Sequence, residues 1–334
     1  MLSKIILLTV LPIAVLSFAN RDVSESVIVI DNDAGADDAL AIFLATLYEK
    51  HFNGPKLIGL TTVNGNTNED NVCTNNQRIL QVAKRQDIPI YRGAKESLVI
   101  TPYAGDYFGQ DGLGDTGEVL RDLVPPRREA AVNKLIQLSK QHKGNLTVLC
   151  LASLTNIALA IQLDPNFLGR LNHLYVGGGH IHSEQFPEAE FNAHMDVEAY
   201  HIIAKHATPE KVTMLPFSQV MLHLNISRQW REEVFGVLDT DIIRAQNGYE
   251  RITLPQSDRW QQLDPAVVAL FVKPELVSEY KYSKNDIILC GDKRGMNTNT
   301  FVEKEDANVR VIDSIKMEEY KQFLLDVFSA DLNK

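Results

Sequence analysis

The sequence predicts an α/β domain with a mainly parallel central sheet flanked by helices. Three observations carry that expectation. Short apolar runs alternate with stretches of helical apolar spacing from residue 27 onward. The first run, Val27-Ile28-Val29-Ile30, is apolar without alternation, as a strand buried on both faces must be. No internal repeat or low-complexity linker interrupts the pattern, so the 334 residues read as one domain although length alone allows two.

The elements follow in order. Asp37 to Tyr48 carries apolar residues at 40, 43, 44 and 47, one face of a helix. Lys56 to Val63 reads as a second strand. Asn68 to Lys84 reads as a helix with Val72, Ile79, Leu80 and Ala83 on one side. Ile88 to Tyr91 is a short third strand. Gly93 to Gly117 is rich in glycine and aromatics and reads as a loop, of a length usually functional or mobile. Helix 127–141, strand 146–151, helix 155–162, strand 172–176 and helix 196–206 come next. Strand 211–215 leads to helix 228–237. Helix 264–272, strands near 285–290 and 308–312, and a last helix at 316–329 complete the chain.

The N-terminus reads differently. Lys4 precedes an apolar run from Ile5 to Val15, and Leu16-Ser17-Phe18-Ala19 puts small residues at the two positions that signal peptidase reads. Residues 1–19 are therefore expected to be a secretory signal peptide, leaving a secreted domain of residues 20–334. After its removal no membrane association is expected. Composition narrows the function further. The chain is 45% hydrophobic and 23% charged, which suits a globular fold, and its net charge of −10 makes nucleic acid an unsuitable partner. Cys73, Cys150 and Cys290 are too few and scattered for a disulfide framework.

The acidity concentrates in Asp31-Asn32-Asp33-Ala34-Gly35-Ala36-Asp37-Asp38, immediately after the first strand. In parallel sheets, ligands bind beyond the carboxyl ends of the strands. Carboxylates crowded there must be protonated, solvated or neutralised by a cation, and an all-oxygen donor set suits Ca²⁺ or Mg²⁺. Capping explains Asp37 or Asp38 but not all four acids. A phosphatase of the aspartyl type also opens with two acids after a strand. It leaves the Asp37-Asp38 pair without a role.

The run 29–39 resembles the first motif of the nucleoside hydrolases (inosine–uridine type nucleosidases). Thr61-Thr62-Val63-Asn64-Gly65-Asn66, Asp111-Gly112-Leu113-Gly114-Asp115, Leu154-Thr155-Asn156-Ile157-Ala158, Gly177-Gly178 with Ala189-Glu190-Phe191-Asn192 and Asp196, and Asp264-Pro265 follow in that family's order. The resemblance implies the nucleoside hydrolase fold, which is Rossmann-like, and hydrolysis of the N-glycosidic bond of a small-molecule nucleoside. It implies one Ca²⁺ held by Asp33, Asp38, Asp264 and the backbone carbonyl of Thr155. Asp37, Asn66, Glu190, Asn192 and Asp264 would grip the ribose, and Asp33 would activate the calcium-bound water. It also implies a homo-oligomer, for which the sequence carries no signal of its own.

The chemistry is consistent with these residue types. Breaking the glycosidic bond builds positive charge on the sugar, which a ring of carboxylates and amide oxygens stabilises. Three positions depart from the resemblance. Phe108 and Leu263 stand where many members have histidine, and Glu184 stands where a ribose-binding Asn is expected. No histidine falls on the expected acid positions, although His180, His182 and His194 lie close to the Gly177–Asn192 block. Tyr107, Phe108 and Trp260, with Tyr103, are candidate groups for stacking on the base, and they favour a purine such as that of inosine. The alternative is a secreted nucleoside- or sugar-binding protein, catalytically weak or inactive, on the same fold.

Overall fold

The computed structural model describes residues 26–118 and 121–332. The expected signal peptide, residues 1–19, lies outside them. The chain forms one nine-stranded sheet in the order β3-β2-β1-β4-β5-β6-β9-β7-β8. Its first six strands are β1 (Val27–Asn32), β2 (Lys56–Thr62), β3 (Ile90–Tyr91), β4 (Leu146–Cys150), β5 (His173–Gly177) and β6 (Val212–Leu215). These six run parallel in the doubly wound order 3-2-1-4-5-6. Strand order reverses at β1, so a crevice opens above the carboxyl ends of β1, β2 and β4, where the acidic run begins.

Helices cover both faces. Ile28 and Ile30 point to one face and join the core of α1 (Ala36–Phe52), whose buried residues run from Ala36 to Leu47. That helix is apolar almost all round because it is packed among the sheet, α11 (Leu263–Val272) and α12 (Met317–Ser329). Val29 points to the other face and joins Val148, Leu174 and the apolar sides of α3 (Ala131–Gln141), α4 (Thr155–Leu163) and α7 (Val197–His206). The remaining helices are α2 (Glu69–Val82), α5 (Phe167–Arg170), α6 (Phe191–Met195), α8 (Phe217–His223), α9 (Arg228–Trp230) and α10 (Asp241–Tyr249). No helix among the described residues is long and apolar enough to cross a membrane. All three cysteines are free, with Cys290 exposed.

Several expected boundaries move. The helix predicted from 127 begins at Ala131, because the Arg127 amide donates to the Ile90 carbonyl at 2.8 Å and extends the sheet edge instead. The helix expected over 228–237 divides into α9 and a π-turn, Arg231–Phe235. The strand expected near 285–290 is β7 (Val277–Ile287), and it starts earlier than its polar sequence announces. β7 pairs antiparallel with β8 (Asn297–Phe301) and β9 (Val309–Ile315). The whole of β8, Asn-Thr-Asn-Thr-Phe, has too little apolar content to be read as a strand. α8 and α10 also escape the periodicity.

Candidate active site

The turn after β1 is held by its own carboxylates. Asp38, in the first turn of α1, accepts from the Gly35 amide at 2.8 Å and from the Asp33 amide at 3.3 Å. Ala34 has a φ of 38°, a left-handed conformation that a non-glycine residue adopts only when its surroundings enforce it. Asn75 supplies part of that enforcement by donating to the Ala34 carbonyl at 3.1 Å. Asp33 is gripped from β2, accepting from the Asn66 amide at 2.7 Å and from Asn66 Nδ2 at 3.1 Å. Gly65 makes this approach possible, since a Cβ there would lie 1.9 Å from Asp33 Oδ2.

Asp37, Asp38 and Asp264 each bring a carboxylate oxygen to within 4.8 Å of the others, with Asp33 beside them. Burial and the neighbouring acids push Asp38 and Asp264 well above the usual carboxylate range. Burial, followed by the Asp33 charge, pushes Asp37 up to about 7. Asp33 is also raised to about 7, chiefly by burial, against the pull of the Asn66 hydrogen bond. The charges acting on Asp38 and Asp264 are carboxylates, not cations. An oxygen-only donor set with no internal counter-charge fits a hard divalent ion.

Asp37 and Asp264 open onto a cavity of about 380 Å³ that Asn66, Glu190 and Asn192 also line, whereas Asp33 and Asp38 are fully buried next to it. All five expected ribose-binding residues therefore meet at one surface. The two amides are already oriented. Asn66 Nδ2 donates to Asp33 and to Asp38, at 3.1 and 3.2 Å. Asn192 Nδ2 donates to the carbonyls of Leu151 and Gly177, at 2.9 and 3.1 Å. Their donors are spent, so each offers a ligand only its Oδ1. Glu190 caps α6 and accepts from the Ala193 and Gly179 amides at 2.9 and 2.7 Å.

The same cavity is lined by Tyr107, Phe108, His180, Phe191 and Phe217, with Leu263 and Gln261. Tyr107 and Phe108 meet edge to face at 4.9 Å between centroids. The loop that carries them is tied down. Asp111 accepts from Arg78 at 3.0 Å and from the Leu113 amide at 2.7 Å, and Gly114 N–H returns to the Phe108 carbonyl at 2.7 Å. The Asp111–Asp115 motif is thus the anchor of the loop.

Not every expected residue arrives. Trp260 is buried away from the cavity, donating to Glu250 at 2.8 Å and packing on Arg231 and Phe235. Tyr103 is 84% exposed and does not line the cavity. Asp31 lies beneath the site, where Thr61, Asn156 at 2.8 Å and the Cys150 thiol at 3.6 Å hydrogen-bond it. Thr155 opens α4 and spends its hydroxyl on Asp196 at 2.7 Å. Leu151, just after β4, lines the cavity, and its carbonyl accepts from Asn192. Phe191 and Phe217 were missed as cavity-lining residues, whereas His180, one of the three histidines noted beside the Gly177–Asn192 block, does line the cavity. The first lies inside the quoted Ala-Glu-Phe-Asn block, and the second begins a helix that the periodicity did not reveal.

The chain is 27% identical over 297 residues to the inosine-uridine preferring nucleoside hydrolase of Leishmania major, covering 87% of this chain and 93% of that protein. It is 35% identical over 188 residues to probable uridine nucleosidase 2 of Arabidopsis thaliana. That match spans only about half of the plant protein's length, 55%. Among solved structures, a plant nucleoside hydrolase superposes with a TM-score of 0.81 at 25% identity, covering 92% of this chain and 99% of the other. An inosine-guanosine nucleoside hydrolase shares the fold with a TM-score of 0.81 at 23% identity. Residues 28–322 follow the family's sequence pattern from the first strand into the last helix, and the chain belongs to the inosine-uridine preferring nucleoside hydrolase family.

Proposed function

We propose that this protein is a calcium-dependent ribonucleoside hydrolase that cleaves the N-glycosidic bond to release free base and ribose, with a preference for purines. The observation that carries the reading is that one cavity brings together Asp37, Asp264 and Glu190, the oxygens of Asn66 and Asn192, and several aromatic rings. Ribose hydroxyls are donors, and a flat base is a stacking partner, so a nucleoside matches both kinds of lining.

Asp37, Asp38 and Asp264, with Asp33 beside them and the Thr155 carbonyl that the resemblance names, would hold the cation. When bound, calcium supplies Lewis-acid polarisation of water and of the sugar hydroxyls. The chain's own groups do the rest. Asn66 holds Asp33 through two hydrogen bonds, leaving its carboxylate placed to accept the proton of the attacking water. Burial raises the Asp33 carboxyl in the absence of a cation, and a bound divalent ion would hold it as the carboxylate that this task needs. Asp37, Glu190 and Asp264, with the Oδ1 atoms of Asn66 and Asn192, face the sugar as its ring becomes cationic. That arrangement favours the transition state over the neutral substrate. Tyr107, Phe108, Phe191 and Phe217 provide a wall that suits the larger π surface of a purine.

A panel of inosine, guanosine, adenosine and uridine, assayed with millimolar calcium and after chelation, tests the reading. Base release from inosine that is faster than from uridine and lost on chelation is expected. Equal or faster uridine cleavage rejects the purine preference. Calorimetric binding of inosine without release of base identifies the binding protein instead. We also propose export with removal of residues 1–19, on the strength of the N-terminal pattern. Material secreted from a eukaryotic host should begin at Asn20, and retention of Met1 in the cell fraction would reject it.

A further inference from the structure

One residue lining the cavity can make a directional hydrogen bond to a base through a ring nitrogen. His180 lines the cavity and is only 8% exposed. Its ring is held between aromatic neighbours, stacked with Phe217 at 6.0 Å and 27°, and tilted against Phe186 at 5.2 Å. The imidazole makes no hydrogen bond among the described residues; its Nδ1 is enclosed in the protein, which leaves Nε2 as the nitrogen that can meet a ligand in the cavity.

The backbone around the ring is built to hold it. Asn297 of β8 accepts from the His180 amide and donates to its carbonyl, both at 2.7 Å, and Asn299 Nδ2 donates to the same carbonyl at 3.1 Å. Gly179 precedes it at a φ of +77°, with its amide on Glu190 Oε2 at 2.7 Å. One short segment thus connects the ribose-binding carboxylate to the imidazole. Nothing comparable holds His182, whose Nδ1 is engaged with the Phe186 carbonyl at 2.9 Å.

Resting on the nucleoside hydrolase reading above, we propose that His180 hydrogen-bonds the departing base and takes the leaving-group role that Phe108 and Leu263 cannot fill. As the C1′–N bond breaks, its electron pair passes to the base, and for a purine the charge gathers on the imidazole part of the ring system. The His180 N–H donates to that ring nitrogen. The proton that completes the neutral base comes from solvent and balances the one passed from the attacking water to Asp33. Burial and the adjacent His182 push the His180 imidazole down to about 4, so at pH 7 it is a neutral donor, not an acid that empties. Among the described residues, the titratable ring facing it is His182, at 5.7 Å between centroids, and the other rings packed on it are Phe186 and Phe217.

The test compares inosine with p-nitrophenyl β-D-riboside, whose leaving group departs as a stable anion and needs no hydrogen bond. His180→Phe keeps the stack and removes the donor. Its kcat/KM for inosine should fall by about 100-fold, with less than about 3-fold change for the nitrophenyl riboside. His180→Gln, which retains an N–H, should recover part of the inosine rate. Equal losses on both substrates would assign His180 to the fold or to ribose binding, and unchanged inosine cleavage would leave it without a role. Either result overturns the proposal. If the wild-type protein cleaves neither substrate, the hydrolase reading itself fails and this one falls with it. Circular dichroism of both variants separates any folding defect from the chemistry.

Discussion

Asp33 owes its position to a residue with no side chain. The carboxylate sits against the Cα of Gly65, and a methyl group there would overlap Oδ2 at 1.9 Å. Gly65 is not in a left-handed conformation, so the requirement is space alone, and Gly65→Ala should fold while pushing Asp33 aside. Asn66, the next residue, makes both hydrogen bonds to that carboxylate and would move with it. A displacement of about 1 Å at a reacting group costs about 100-fold in rate. Steady-state kinetics on inosine should therefore show kcat of Gly65→Ala reduced by about that factor, with Tm within a few degrees of wild type. Full activity would mean that Asp33 does not depend on this contact. The sequence made Asp33 and its acidic neighbours legible, because crowded carboxylates after a buried strand are expensive. It could not separate Asp31 from the rest. The alternation of an extended strand puts both on one side, yet Thr61 and Asn156 capture Asp31 below the cavity.

Helical and strand elements were legible where one face is apolar and the other is not, and obscure where polar residues are buried. α10 is an example: Gln246 is fully buried and donates to the Ala36 carbonyl at 2.8 Å, at the start of α1. Close by, Arg231 in the π-turn is fully buried and paired with Glu250 at 2.6 Å, and Glu250 also accepts from Trp260. That network explains why Trp260, an aromatic next to the last acidic motif, serves packing and not the base. Arg231 lies against the rings of Phe235 and Trp260, 5.3 and 5.5 Å from their centroids, and Glu250 is near enough for its charge to raise Asp37. Removing the cation alone leaves a buried carboxylate uncompensated beside other acids. Arg231→Leu should lower the free energy of unfolding in urea by about 3–5 kcal/mol. The double substitution Arg231→Leu, Glu250→Gln should recover part of that loss. A single variant as stable as wild type would show that the pair contributes nothing net.

For the molecule as a whole, two sets of buried titratable groups pull stability in opposite directions with pH. His173 in β5 is pushed down to about 3 by burial and by the charge of Arg310, with Lys211 adding to it, while Glu210 acts the other way. His180 is similarly depressed, to about 4. An unfolded histidine takes its proton near pH 6.5, so these two contribute stability above that pH and lose it as pH falls toward 4. The four carboxylates at the cavity have folded pKa values above their unfolded ones. They destabilise the metal-free protein at neutral pH, and that cost is relieved as pH falls from about 7.5 toward 4. Each group shifts stability by at most about 1.4 kcal/mol per pH unit within its own window. Between pH 7.5 and 5.5 the histidines act only over the last unit, while the carboxylates act through most of the range and are more numerous. The chelated protein is therefore expected to melt higher at pH 5.5 than at pH 7.5. A cation competes with protons for the same oxygens, so millimolar calcium should raise Tm more at pH 7.5 than at pH 5.5. Differential scanning calorimetry at the two pH values, with and without calcium, reads both terms. A chelated protein more stable at pH 7.5, or a calcium increment larger at pH 5.5, would show that the acidic cluster does not govern the balance. Asp264→Asn provides the internal control: it removes one of the crowded charges, and should raise the melting point of the chelated protein at pH 7.5 while diminishing the increment from calcium.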